Sequence, residues 1–213
     1  MIRNLFIGIG AALLATSWLL TTLITPTMAP YRVQLTGDGE TRIIEVTIKG
    51  KEVTATDLYE GAVDKDASGT YLIDPKSGFP AKKATHVGLT YFFPMPSEER
   101  SYVVADPLTG GPSTLDYVDP TAENGMKFYT YRESSPRFRE VTLEPRSGIV
   151  VDAKEDVDGT IISYDEATRD EAMARATKSY RQYRSLQLVT VLLTLAGAGF
   201  IIIGGWLWLK RAL

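Results

Sequence analysis

The sequence predicts a membrane α + β protein, with N- and C-terminal transmembrane helices flanking an exported, mainly antiparallel β domain, and a long helix leading into the second span. Three observations predict it. Residues 5–24 and 186–209 contain no charged side chain and lie at opposite ends of the 213-residue chain. Between them, short runs rich in Val, Ile, Thr and Tyr alternate with Gly, Pro and Asp turns, the pattern of antiparallel strands. A run of strong helix formers then leads into the second apolar stretch without an intervening Pro or Gly.

Residues 1–4 form a short basic N-terminus around Arg3. Residues 5–24 follow as the first span. At 1.5 Å rise per residue, about 20 apolar residues cross the ~30 Å hydrocarbon core. A signal peptide is the competing reading, since Thr27-Met28-Ala29 loosely resembles a cleavage site. The apolar run exceeds the ~7–15 residues of a signal core, and Pro30 would follow the scissile bond. An uncleaved anchor is therefore expected. Arg3 at one end and Lys210 and Arg211 at the other are basic, so both termini are expected in the cytoplasm and the middle domain outside the plasma membrane. Lys178, Arg181 and Arg184 adjoin a long translocated domain, where the charge rule loses force.

Residues 25–164 are expected to form the β domain, with strands at 41–49, 70–73, 89–93, 102–105, 127–132, 139–143, 149–153 and 160–164. In the first of these, Ile44, Val46 and Ile48 alternate with Glu45 and Thr47, giving one buried face. Asp74-Pro75-Lys76-Ser77-Gly78, Asp106-Pro107-Leu108-Thr109-Gly110 and Glu144-Pro145-Arg146-Ser147-Gly148 repeat one design. In each, an acid caps a turn, Pro presets φ and Gly takes the positive φ. These acids are read as turn formers rather than ligands. Residues 165–185 form a helical stalk, acidic at its start and basic towards its end, as the helix dipole prefers. Ser163 or Asp165 can cap it. One continuous helix is expected from about Glu166 to Lys210, running through the second span at 186–209 to a cytoplasmic end at 210–213. Such a helix would hold the β domain at a fixed height above the membrane.

Composition narrows the function classes. The net charge is −3 and there is no cysteine, so a nucleic-acid partner is not expected, and disulfides, thiolate nucleophiles and zinc–sulfur sites are excluded. The one histidine, His86, stands in a loop-like stretch beside Lys82 and Lys83 and is read as exposed and incidental. No Gly-x-Ser-x-Gly elbow or phosphate-cradling loop is present. Asp156-Val157-Asp158-Gly159 reads as a turn rather than half a calcium loop. Asp116, Asp119 and Glu123 read as a solvated face. No catalytic, cofactor-binding or metal-binding residue is therefore assigned, and no cofactor is expected. Roles are assigned instead within the helices. Gly8, Ala11, Ala12 and Ala15 form a small-residue face on the first span, and Gly197 and Gly205 line up with Ile201 on the second, the usual device for close helix packing. Packing of the two spans against each other explains these faces equally well. Tyr180 and Tyr183 are interfacial anchors on one side of the membrane, and Trp206 and Trp208 on the other.

Gly-Leu-Thr-Tyr-Phe-Phe-Pro at 88–94, Tyr-Val-Val-Ala-Asp-Pro-Leu-Thr-Gly at 102–110, Tyr117-Val118, Asn-Gly-Met-Lys-Phe-Tyr-Thr-Tyr-Arg at 124–132 and the run from Val141 to Asp152 carry a family likeness. In this order they resemble the actinobacterial envelope proteins labelled PorA-family, over most of residues 30–205. The resemblance implies a span at each end around an exported β domain, and no catalytic residues. Strands mostly shorter than the ~9–11 residues of a transmembrane barrel, together with two helical spans, point to the inner membrane. The small accessory subunits of actinobacterial respiratory supercomplexes, in which a cytochrome bc complex joins a terminal oxidase, are similar in size and topology. The leading expectation is a non-catalytic accessory or scaffolding subunit of such a plasma-membrane assembly, its partners other integral membrane subunits and lipids. The alternative is an envelope protein that handles a lipid or glycolipid, with Tyr91, Phe92, Phe93 and Met95 as groove candidates. A pore-forming protein comes third.

Overall fold

The structure, a computed structural model, describes residues 2–23, 28–61, 65–74, 77–106, 109–133, 135 and 137–210. Ile24, Thr25, Thr27, Pro75, Lys76, Pro107, Leu108 and Arg211, used in the readings above, lie outside these residues. The chain divides into two compact units, Met1–Thr25 with Tyr180–Leu213, and Pro26–Ser179.

The first unit is an antiparallel helix pair. It consists of α1 (Ile2–Leu23) and the portion of α2 (Glu166–Leu209) beyond Tyr180. Both helices are long and apolar enough to cross a membrane. Their contact follows a seven-residue rhythm. The rings of Phe6 and Phe200 lie 5.7 Å apart, Gly10 faces Gly197 and Ile201, and Ser17 Oγ lies 2.7 Å from Thr194 Oγ1 and donates to the Thr190 carbonyl at 3.2 Å. Small residues let the backbones touch, and the hydroxyls satisfy one another within the contact. A Cβ on Gly10 would stand 2.7 Å from the Gly197 carbonyl oxygen. Gly10→Val is therefore expected to splay the pair. Spin labels on cysteines at 6 and 200, clean in a chain without cysteine, should lose their dipolar broadening in this variant and keep it in Gly8→Val. Equal broadening in both variants would refute the contact.

The second unit is one antiparallel sheet of eleven strands. They are β1 (Tyr31–Gly37), β2 (Glu40–Lys49), β3 (Glu52–Glu60), β4 (Lys65–Asp66), β5 (Gly69–Leu72), β6 (Tyr102–Ala105), β7 (Pro112–Glu123), β8 (Met126–Glu133), β9 (Arg139–Glu144), β10 (Ile149–Val157) and β11 (Thr160–Tyr164). The order is β4-β3-β2-β1-β11-β10-β9-β8-β7-β6, with β5 also on β3. Strand pairs β1–β2, β7–β8 and β10–β11 are joined by Asp38-Gly39, Asn124-Gly125 and Asp158-Gly159, every one of these six residues at positive φ. This is the two-residue hairpin geometry that matches strand twist. Asp156 closes the last turn by accepting the Gly159 N–H at 2.7 Å.

The three recurring acid-to-glycine segments are closed by the same bond between their described ends. Gly78, Gly110 and Gly148 each donate to the carbonyl of the acid four residues earlier, at 2.8–2.9 Å, and each glycine has φ between 64° and 72°. Glu144 adds a side-chain cap, accepting from Ser147 N at 2.9 Å and Ser147 Oγ at 2.6 Å. Asp165 caps α2, accepting the Thr168 N–H at 2.7 Å, so of the two candidate caps the aspartate performs the task.

Several expectations need correction. Residues 89–93 are not a strand. Leu89 alone bridges Val104, in parallel, because the segment's side chains are divided between two cores: Leu89 and Phe93 enter one, and Tyr91 and Phe92 pack on the other. Strands β1, β3, β4 and β7 were not foreseen. Strand β3 hides its alternation behind a small Ala55 and a buried Asp57, and β7 carries two prolines, Pro112 and Pro120, and mostly exposed polar residues. Strands of nine to twelve residues do occur, in β2, β3, β7 and β10, so strand length does not argue against a barrel. Facing does. The inward side chains of β2 and β3 are Ile44, Val46, Val53 and Ala55, while Glu45, Thr47, Glu52, Thr54 and Thr56 face outward. A transmembrane barrel needs the reverse, an apolar band outside.

Candidate ligand-binding cavity

The inner face of the sheet carries two hydrophobic clusters. One is built by β1, β2, β3, Ile162, Tyr164 and Ala172, the other by Leu89, Phe93, β6 and β7 to β9, with Val150 packed against both. Between them lies a cavity of about 470 Å³, within the range that encloses a small organic ligand. Tyr31, Val33, Leu35, Ile44 and Tyr164 line it from the first cluster, and Phe93, Val104, Leu115 and Val141 from the second. Strand alternation aims Val33, Leu35, Ile44, Val104, Leu115, Val141 and Tyr164 inward, since each occupies a buried position of its strand.

Across this apolar lining runs a row of buried charge. Arg42 donates to Asp57 through Nε at 2.9 Å and Nη2 at 2.8 Å, and to Glu155 Oε2 through Nη1 at 2.9 Å. Glu155 stands opposite Arg139 in the β9–β10 register, and Arg139 opposite Glu133 in β8–β9. Arg139 Nη2 donates to Glu133 Oε2 at 2.8 Å and to Ser113 Oγ at 2.6 Å. Each of the five is at most 8% exposed, and Arg42, Arg139 and Glu155 line the cavity. Tyr91 O–H donates to Asp57 Oδ2 at 2.9 Å, and the Arg42 guanidinium lies 4.8 Å from the Tyr59 ring centre. Burial by itself would lower the Arg42 pKa, but Glu155, Tyr59 and Asp57 outweigh that and hold it well above the usual range. Burial, reinforced by Asp57, raises Tyr91.

His86 is half-buried rather than exposed. Its ring meets Tyr71 edge-on at 5.3 Å, it lines the cavity, and burial lowers its pKa, which favours the neutral imidazole. Tyr91 and Phe93 of the groove candidates line the cavity, Phe92 packs edge-on against Tyr31 at 5.6 Å, and Met95 is not among the lining residues. Asp116, Asp119 and Glu123 lie exposed along β7, with Asp116 accepting from Ser101 Oγ at 2.6 Å.

In the helix pair the assigned residues separate. Gly197 is buried in the contact, whereas Gly8, Ala11, Ala12 and Ala15 lie on the exposed side of α1, and nothing lies within 4 Å of a Cβ built on Gly8 or Gly205. Gly10 and Ser17, half a turn away, make the contact that the small-residue pattern placed on the wrong side of the helix. Tyr180 and Tyr183 are half-buried. Trp206 and Trp208 are each 54% exposed, and Lys210 Nζ stands 4.2 Å over the Trp206 ring.

The charged row escaped the reading of the sequence although a signal was present. Arg42 shares the parity of Ile44 and Val46, Asp57 that of Val53 and Ala55, and Arg139 that of Val141 and Leu143. Period two therefore places all three charges inside.

No curated protein matches the chain. The sequence model of the family described as Porin PorA matches residues 53–138, less than half of the chain, from β3 through β8 and on towards β9. The match supports a PorA-family protein of the membrane envelope over that stretch, which contributes Phe93, Val104 and Leu115 to the cavity.

Proposed function

We propose that this is a non-catalytic, membrane-anchored envelope protein whose exported β domain binds an apolar small molecule. The observation that carries this reading is the cavity of about 470 Å³ between the two clusters. A closely packed core leaves few voids larger than a water molecule, so a space of this size lined by valines, leucines and aromatic rings invites an occupant. Each methylene group removed from water there contributes about 0.8 kcal/mol. Two helices of membrane-spanning length would keep such a domain beside the source of apolar ligands. The test is to purify the full chain gently, extract it with organic solvent and identify bound amphiphiles by mass spectrometry. Val104 is 4% exposed and lines the cavity, and Val103 faces outward at 45%. Val104→Trp should reduce recovered ligand at least tenfold and Val103→Trp should not. Equal recovery from the two variants would remove the cavity from consideration.

A second reading is an accessory or scaffolding subunit of a larger plasma-membrane assembly, with the actinobacterial cytochrome bc–oxidase supercomplex as the specific candidate. The observation that favours it is the face of Gly8, Ala11, Ala12 and Ala15, which the α1–α2 contact leaves uncovered. Haem-bearing subunits in stoichiometric yield with a tagged copy in mild detergent would support this reading. Recovery without any large membrane protein would refute it.

A further inference from the structure

Resting on the cavity reading above, we infer that the ligand is uncharged and carries a hydroxyl group, and that the cavity discriminates against carboxylates and phosphates. The inference comes from what the buried row of charge leaves undone. Its five members are Glu133, Arg139, Glu155, Arg42 and Asp57, two guanidiniums against three carboxylates. Both guanidiniums are already engaged: Arg42 holds Asp57 and Glu155, and Arg139 holds Glu133. An incoming anion therefore finds both guanidiniums of the row already paired and meets the row's excess of negative charge; the lysines of the cavity wall, Lys65 and Lys154, lie outside the row, with Lys154 3.8 Å from Glu140. In a medium that screens poorly this repulsion is strong.

The row also leaves three hydrogen-bonding atoms unused, and two of them belong to residues that line the cavity. Among the described residues, Glu155 Oε1 and Arg139 Nε have no partner, although Glu155 is 1% and Arg139 8% exposed and both residues line the cavity. A buried polar atom without a partner costs about 1–3 kcal/mol, so an occupant that satisfies these atoms gains what the empty cavity lacks. The two have opposite needs: the carboxylate oxygen requires a donor and the guanidinium N–H requires an acceptor. They belong to directly opposed residues of β9 and β10, whose Cβ atoms in such a pair stand roughly 4.5–5.5 Å apart. A hydroxyl donates and accepts at once, so one such group answers both. A carboxylate or phosphate offers only acceptors and leaves Glu155 unanswered, and an ammonium offers only donors and faces Arg139. Thr90 Oγ1, likewise without a partner and on the cavity wall, extends the same preference to a second hydroxyl. The ligand class is an uncharged amphiphile whose polar end is an alcohol or polyol and whose tail occupies the apolar lining.

The experiment uses the full-length protein in phosphatidylcholine nanodiscs and photoreactive diazirine probes of one acyl chain length. One probe is a monoacylglycerol, one the free fatty acid and one the alkylamine, and cross-linked peptides are mapped by mass spectrometry. Labelling of cavity peptides by the monoacylglycerol should exceed labelling by the fatty acid and by the amine at least tenfold. Glu155→Gln removes the charge and keeps the shape, and should reduce the preference over the fatty acid to about threefold or less. The wild-type comparison requires no variant and stands even if that protein does not fold. Labelling by the fatty acid or the amine equal to or above the monoacylglycerol overturns the hydroxyl inference while leaving the cavity reading intact. Failure of all three probes to label cavity peptides overturns both.

Discussion

Replacing Arg42 with leucine will destabilise the β domain more than any other single truncation of its inner face. Among the described residues the guanidinium is the one side chain that bridges Asp57 and Glu155, and those carboxylates are 0% and 1% exposed. Removing one partner of a buried pair costs about 3–5 kcal/mol, because the remaining charge stays in a place that cannot solvate it. Here two carboxylates lose their guanidinium together, and Asp57 keeps only the Tyr91 hydroxyl, so a melting temperature lower by about 10 °C or more is expected for a domain of this size. The measurement is the far-ultraviolet circular dichroism of the strands. Tryptophan fluorescence will not serve, because Trp18, Trp206 and Trp208 all lie in the helix pair. The companion variant Arg42→Leu/Asp57→Leu/Glu155→Leu should recover at least half of the loss, since apolar replacement of a whole buried ion network is often nearly neutral. A shift below 2 °C in Arg42→Leu would mean that water reaches the carboxylates and that the row is not truly buried. The triple variant should also lose the preference for hydroxyl-bearing ligands, which separates the row's part in stability from its part in selection.

How much of this could be read from the chain depends on the range of the interaction. The hairpin turns and helix limits are local: Asp158-Gly159 turns because two adjacent residues tolerate positive φ, and α2 starts at Glu166 because Asp165 caps it. The continuity of α2 as far as Leu209 follows from a sequence without Pro or Gly before the span. The cavity is not local. It requires Val33 and Val104 to face the same space, and no spacing along the chain encodes that meeting. Parity alone could have placed Arg42 and Asp57 indoors, but only their diagonal placement on neighbouring strands, Arg42 opposite Tyr59 and Asp57 opposite Ile44, brings them into the ion pair that lets the fold tolerate them there. The helix contact lies between these cases. Small residues permit close approach on either face of α1, yet Gly10 and the Gly8–Ala15 face differ by half a turn, and only the partner helix decides between them.

Raising the pH should unfold the β domain cooperatively, and tyrosine is the reason. Tyr31, Tyr59, Tyr91, Tyr131 and Tyr164 all have pKa values raised above the ordinary value near 10, with burial the largest cause in each. The charges around them act in both directions: Asp57 raises Tyr91 further, whereas Arg42 works against burial at Tyr59 and Tyr164. Below pH 10 these tyrosines are protonated in both the folded and unfolded chain, so their contribution to stability is fully present. Above it the unfolded chain releases protons that the folded chain retains, and stability falls as pH climbs towards the folded values. One group loses about 1.4 kcal/mol per pH unit in that window, and the five together roughly 7. A domain with the usual 5–15 kcal/mol of stability is therefore expected to open between about pH 11 and 12. Phenolate absorbance near 295 nm, followed through the alkaline range for the eleven tyrosines of the chain, should show these five in one steep step that coincides with loss of the strand dichroism. Ionisation of all eleven in one smooth curve, with the strands intact, would mean that the tyrosines of the two clusters are open to water and that the sheet does not close over its interior. The same titration on Tyr91→Phe should move the step to higher pH, because a ring without a hydroxyl releases no proton when the domain opens.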